Sequence, residues 1–270
     1  MLSAVHAERG AVSGIRVECR GRVLEVTLDR PKANAINAAT SREMGEVFSE
    51  FRDDPAYRVA ILTGAGDRYF CAGWDLKEAA AGDGFDWDFG IGGFGGLQEL
   101  PGLDKPVIAA VNGMALGGGF ELALAADLIL AADHARFCLP ECRASILADA
   151  ATIKLRRRIP YHVAVDLLMT GRWMDAEEAR RWGLLRDVVR LDQLMPAARQ
   201  LADLLAAGPP LLYPAIKEAL RETEALGAQE AFEVLNHMRL PAVAALYGSE
   251  DMVEGTRAFA EKREPVWKGR

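Results

Sequence analysis

The stretch best equipped for chemistry is 111–130, VNGMALGGGFELALAADLIL. Three consecutive glycines, Gly117, Gly118 and Gly119, run into an Ala/Leu-rich segment that reads as a buried helix. Without Cβ atoms there, a ligand carbonyl can come within hydrogen-bonding distance of a main-chain N–H at the positive end of that helix. Glu121 falls in the helix's first turn, where a carboxylate either complements the helix dipole or faces what the glycines admit. A second sign of close backbone approach is Ala72-Gly73, inside YFCAGWDL. Glu141 follows Pro140 at the end of a short strand-like piece; by position alone it is a surface carboxylate, and nearby Asp149 has no assigned role.

The remaining reactive side chains narrow the options. The four histidines are scattered and HExxH is absent, so no metal site is expected. Cys19, Cys71, Cys138 and Cys142 form no CxxC pair and are expected to be buried thiols. Residues 79–96, AAAGDGFDWDFGIGGFGG, alternate aspartates with aromatics and then accumulate glycines, which predicts a mobile lid. Gly90, Gly92 and Gly95 match GxGxxG, but they follow DWDF rather than a buried strand, which argues against a dinucleotide site.

These groups need a scaffold, and the apolar periodicity supplies one of α/β class. Residues 15–20 and 23–29 alternate around Gly21-Arg22 as a hairpin, and Pro31 ends it. Asn37 caps a helix through Met44, Val47, Phe48 and Phe51. Short buried strands are expected at 59–63, 107–111 and 128–131, the second leading directly into the glycine run. From Pro160 the pattern is mostly helical, with Asp175 as a cap, a short strand at 187–189 and a long helix over 191–207. Amphipathic helices at 214–224, 229–240 and 251–262 suit packing against other subunits as well as the body of the protein.

Composition excludes several functions. The chain has 270 residues, half of them hydrophobic, and a net charge of −7, so neither nucleic acid nor an anionic membrane is expected as a partner. Its single basic run, Arg156-Arg157-Arg158, reads as a solvated face. The absence of a membrane-length apolar stretch or a secretory signature leaves the cytoplasm as the expected location.

Taken together, RPKANAIN, ILTGAGDRYFCAGWDL, KPVIAAVNGMALGGGFELALAAD, ARFCLPE and TGRWMDAEEARRWGL resemble, in order, the crotonase or enoyl-CoA hydratase/isomerase superfamily. The resemblance implies a spiral core of ββα repeats over 1–200, a helical trimerisation region over 201–270, and a homotrimer or a dimer of trimers. It implies an acyl-CoA thioester substrate, coenzyme A being part of that substrate rather than a cofactor. The main-chain N–H groups of Trp74 and Gly118 would hold the thioester oxygen as an enolate forms. Glu141 would take the α-proton and Glu121 would serve the β-hydroxyl or water. Lys32, Ala33, Ala35, Ala72, Asp75 and Leu76 would cradle coenzyme A.

The resemblance, strongest in DRPKANAIN, REMGEVFSEFRDDP, GGGFELALAAD and AFAEKREPVWKGR, also implies reversible dehydration of a short 3-hydroxyacyl-CoA bearing a trimethylammonium end. The lid suits that end: Trp87, Phe89 and Phe94, with Phe85, stand beside Asp83, Asp86 and Asp88, a mixture fitted to a quaternary ammonium. Two alternatives stand beside it: a general short-chain enoyl-CoA hydratase or isomerase, and a binding protein of the same fold without turnover. One departure from the superfamily is plain. A Gly-Gly pair is common about ten residues beyond the second glutamate, where this chain has Ala150-Ala151, which puts in question how the carboxylate is aimed.

Overall fold

The computed structural model describes residues 14–75, 87–237 and 239–270. The predicted hairpin forms: β1 (Ile15–Arg20) pairs antiparallel with β2 (Val23–Leu28) across Gly21. Parallel to β2 lie β3 (Val59–Gly64), β5 (Val107–Val111), β7 (Leu128–Ala132) and β10 (Asp187–Val189), giving a six-stranded sheet in the order β1-β2-β3-β5-β7-β10. Every residue of β3 and β5 is buried, which is why these strands read as unbroken apolar runs: a parallel sheet is covered on both faces. A second sheet holds β4 (Tyr69–Cys71), β6 (Met114–Leu116), β8 (Arg136–Cys138) and β9 (Met174–Asp175) in sequence order.

The chain therefore alternates between sheets. Each of β3, β5 and β7 is followed by a short strand in the second sheet, and after β6 the helix α2 (Gly118–Ala125) leads back to β7. This is a ββα spiral, and it stacks the exits of successive repeats in one place. Two asparagines hold an early exit: buried Asn34 donates to the carbonyls of Ala65 and Tyr69, and buried Asn112 to that of Gly66.

Helix α1 (Ala38–Asp53) shows local and tertiary signals agreeing. Asn37 Oδ1 accepts from Thr40 N at 2.8 Å, while Met44, Val47, Phe48 and Phe51 are fully buried. At the other end Lys105 Nζ donates to the carbonyls of Phe51 and Asp54 at 2.7 and 2.6 Å, satisfying acceptors that a helix terminus leaves over.

Two expectations need correction. Of the predicted mobile lid, residues 76–86, which include Leu76, Asp83, Phe85 and Asp86, lie outside the described residues. Of the rest, 92–96 is packed down rather than free, with Gly92, Gly93, Gly95 and Gly96 buried and Gly95 N donating to Ser41 Oγ on α1, while Trp87, Asp88, Gly90 and Ile91 are exposed. The glycines serve contact, since a Cβ on Gly96 would lie 2.2 Å from Gly45 N. Among the cysteines, Cys71 and Cys138 are buried free thiols as expected, but Cys19 and Cys142 are exposed. Cys19 lies on the edge strand β1, its Sγ 2.9 Å from the Tyr57 hydroxyl.

The chain divides into two compact units, residues 1–203 and 204–270. Helices α3 (Asp149–Lys154), α4 (Tyr161–Thr170) and α5 (Ala176–Arg181) belong to the first, and α6 (Leu191–Ala207) carries the chain into the second. The second comprises α7 (Leu212–Thr223), α8 (Ala228–Asn236), α9 (Pro241–Tyr247) and α10 (Glu250–Glu261), with a core of Ala215, Leu240 and Val243. The helix expected over 229–240 ends at Asn236 instead, and Pro241 opens the next at a first-turn position that has no amide to lose. Among the described residues no helix is long and apolar enough to cross a membrane, and no group of three or more His, Cys, Asp or Glu side chains is placed to hold a metal.

Candidate active site

One wall of the site is a backbone strap. Ala72 N donates to Ala33 O at 3.0 Å, Ile36 N to Gly73 O at 2.8 Å, and Asp75 N to Ile36 O at 2.9 Å. Along 33–36 the burial alternates: Asn34 and Ile36 point inward, whereas Ala33 and Ala35 stay partly accessible beside Ala72, Trp74 and Asp75. Arg30 ties the strap together through the Ala35 carbonyl and Asp75, 3.6 Å away, with Lys32 exposed at its rim. The strap thus gathers every residue expected at coenzyme A except Leu76, which lies outside the described residues.

Gly73 brings this strap against α2. Its φ is +83°, and a Cβ there would meet Leu116 O at 2.7 Å and Gly118 N at 3.0 Å, so only glycine lets the 73–74 peptide approach so closely. The first amides of a helix have no acceptor within it, so Gly118 N–H enters the site as a donor at the positive end of the helix dipole. Trp74 and Gly118, expected as the two amide donors, are therefore neighbours.

The carboxylates stand around the same helix start. Glu121 is 7% exposed, and its Oε1 accepts from Ala151 N on α3 at 2.8 Å. Burial pushes its pKa up to about 7, with the charges of Asp149 and Glu141 adding to the effect and the Ala151 N–H and Lys154 opposing it. Glu141, in a 3-10 turn over Pro140–Arg143, packs against the backbone before Gly118: a Cβ on Gly117 would lie 2.3 Å from its Oε1. Its Oε2 is buried without a hydrogen-bond partner, and burial first, then Asp149, raises its pKa as well. An unpaired buried carboxylate oxygen costs stability that a bound reactant proton would recover.

The Ala150-Ala151 departure acts on the first carboxylate rather than the second. Ala151 is fully buried in α3, and its amide orients Glu121; Asp149 acts through charge on both glutamates while its own carboxylate accepts from Ala150 N. A cavity of about 410 Å³ opens beside Glu141, with Ile146, Leu147, Ala148, Tyr161 and Leu168 in its walls. Glu121 is not in that lining; it borders the region through Ala151, between the lining residues Ala148 and Thr152.

Aromatic rings bridge the two amide donors. Trp74 lies 5.1 Å from Trp87, Trp87 6.4 Å from Phe89, and Phe89 5.6 Å from Phe94, centroid to centroid. The last ring covers Gly118, where a Cβ would meet Phe94 Cε1 at 2.5 Å. Sequence reasoning missed Asn34 and Lys154. Asn34 carries a φ of +53°, a conformation asparagine tolerates, and its place inside PKANAIN was the available sign. Lys154 gave no local signal, because its neighbours come from distant parts of the chain.

Comparison with known proteins places this geometry. The model of a family described as enoyl-CoA hydratase/isomerase matches residues 18–270. The chain belongs to the enoyl-CoA hydratase/isomerase family. It is 54% identical over 257 residues to carnitinyl-CoA dehydratase of Proteus mirabilis strain HI4320, covering 95% of this chain and 98% of that one. The protein of the same name from Citrobacter koseri is 55% identical over 251 residues, with 93% and 96% covered. The crystal structure of enoyl-CoA hydratase from Mycobacterium tuberculosis H37Rv matches with a TM-score of 0.86 at 39% identity, covering 95% and 99% of the two chains. The two-sheet α/β architecture with its C-terminal helical region is thus the crotonase fold, as the sequence motifs implied.

Proposed function

We propose that this enoyl-CoA hydratase/isomerase family member is a hydro-lyase that reversibly dehydrates carnitinyl-CoA to crotonobetainyl-CoA. The observation that carries the reading is the pair of carboxylates, both raised by burial, on either side of the helix start that presents Gly118 N–H. The thioester oxygen accepts from the amides of Trp74 and Gly118 as Glu141 removes the α-proton. Each such donor is worth roughly 3–4 kcal/mol to an oxyanion, so the pair supplies much of the acidity the α-carbon needs. Glu121, protonated at neutral pH for a sizeable fraction of molecules, gives its proton to the departing β-hydroxyl, and water leaves. In hydration the same groups act in reverse. The strap residues Lys32, Ala33, Ala35, Ala72 and Asp75, with Leu76, hold coenzyme A.

The quaternary ammonium end meets Trp87, Phe89 and Phe94, whose faces attract a cation. Long similarity to proteins named carnitinyl-CoA dehydratase supports this choice. A second reading, a general short-chain enoyl-CoA hydratase, draws support from the largely apolar wall beside Glu141, which suits an uncharged acyl group. Assaying carnitinyl-CoA and 3-hydroxybutyryl-CoA side by side separates them: the higher kcat/KM belongs to carnitinyl-CoA on the first reading and to 3-hydroxybutyryl-CoA on the second. The region 201–270 is assigned to trimerisation and the protein to the cytoplasm, the former supported by exposed Leu220, Phe232 and Phe259.

A further inference from the structure

We infer that Lys154 is a positioning residue for the dehydration: it joins the helix that orients Glu121 to the segment that covers Gly118. The inference rests on the dehydratase reading. Lys154 lies one turn beyond Ala151 on α3, whose N–H holds Glu121 Oε1 at 2.8 Å. Its Nζ donates to Gln98 O at 3.2 Å and also to Gln98 Oε1. Gln98 closes the segment that begins at Trp87, and the backbone there is a tight knot: Gly96 N donates to Gly93 O, and Glu99 N to Gly92 O. Phe94, inside that knot, is the ring against Gly118. One ammonium therefore fixes the acid and the oxyanion cover relative to each other.

The hydrogen bonds to Gln98 carry a cost that shows their weight. An ammonium only donates, so Gln98 must turn its oxygen toward Lys154, which leaves its Nε2 buried without a partner. The charged groups around Nζ come from every element packed on it: Glu121 from α2, Asp149 from α3, Glu99 from the covering segment and Arg158 from the turn after α3. Burial draws Lys154 down to about 8, Arg158 adding to this while Glu121, Glu99 and Asp149 oppose it, so the group is still charged at neutral pH. In return Lys154 restrains the rise at Glu121.

The test compares full-length wild type with Lys154→Met, Lys154→Gln and Lys154→Arg, using Glu121→Gln as control and following dehydration of carnitinyl-CoA across pH with a thermal melt of each variant. Without the ammonium Glu121 holds its proton more tightly. Lys154→Met and Lys154→Gln should move the alkaline limb of kcat/KM to higher pH and lower kcat about 10-fold through lost alignment. Lys154→Arg should restore the limb. An unmoved limb in whichever neutral variant folds, or a limb that arginine fails to restore, overturns the assignment. Wild-type turnover in Glu121→Gln would instead overturn the dehydratase reading itself, so the two failures are told apart.

Discussion

At the scale of single residues, the chemistry comes down to how two carboxylic acids are kept from ionising freely. Glu121→Gln and Glu141→Gln should each lower kcat by about 10²-fold or more, since neither amide can exchange a proton. The pKa of about 7 at Glu121 gives a direction to the pH profile. In dehydration Glu121 works protonated, so kcat/KM should fall as pH rises through about 7; hydration of crotonobetainyl-CoA starts from the same singly protonated pair with the proton on the other carboxyl, and since no net proton is exchanged its kcat/KM should fall over the same range. Stability follows the same linkage. The folded state binds the Glu121 proton more tightly than the unfolded chain, so the group lowers stability as pH climbs from its ordinary value of 4.5 toward about 7. Glu121→Gln should remove that loss, raising stability at pH 8 relative to pH 5 by up to about 3 kcal/mol on the scale of one pKa unit per ~1.4 kcal/mol, as chemical denaturation at the two pH values would register.

The elements around these residues explain what could be read in advance. The strands β3, β5 and β7, the capped helix α1 and the glycine run before α2 were all legible, because each is dictated by a local pattern: apolar runs, an Asn at a cap, three residues without side chains. The strap from Ala33 to Asp75 and the contact of Gly73 with Gly118 were legible only through family motifs, since they join segments far apart in the chain. The docking of Gly92 to Gly96 on α1 was misjudged because glycine clusters signal both mobility and close contact, and only the presence of Gly45 opposite decides between them. Gly117→Ala tests this scale. With a φ of +51° and Glu141 Oε1 2.3 Å from the new methyl, it should displace the carboxylate and cost about 10²-fold in kcat, the order expected of a misplacement near 1 Å. A melting temperature close to wild type with activity unchanged would show that Glu141 tolerates the shift.

For the molecule as a whole, the second unit presents an apolar surface out of proportion to its core. Leu220, Phe232, Tyr247 and Phe259 are all more than half exposed, Phe259 at 87%, whereas among the described residues of 204–270 the buried apolar side chains are small or aliphatic, Ala215, Leu240, Val243 and Ala258. Light scattering should therefore report a trimer or hexamer. Leu220→Glu with Phe259→Glu should shift the mass toward monomer, because burying a new charge at an interface costs several kcal/mol.

The asparagines that pin the first repeat carry a further consequence for ageing of the protein. Asn112 is followed by Gly113, a step at which the glycine nitrogen readily closes on the side-chain amide and releases ammonia. In the native fold that side chain is clamped, accepting from Gly64 N at 3.1 Å and donating to Gly66 O at 2.8 Å, and it is 4% exposed. Deamidation here should thus be reserved for chains that have already opened, and each such event would place a carboxylate where the turn needs an amide donor. Heat inactivation should become irreversible with time spent unfolded rather than with temperature alone, as mass spectrometry of the peptide spanning 107–116 would record.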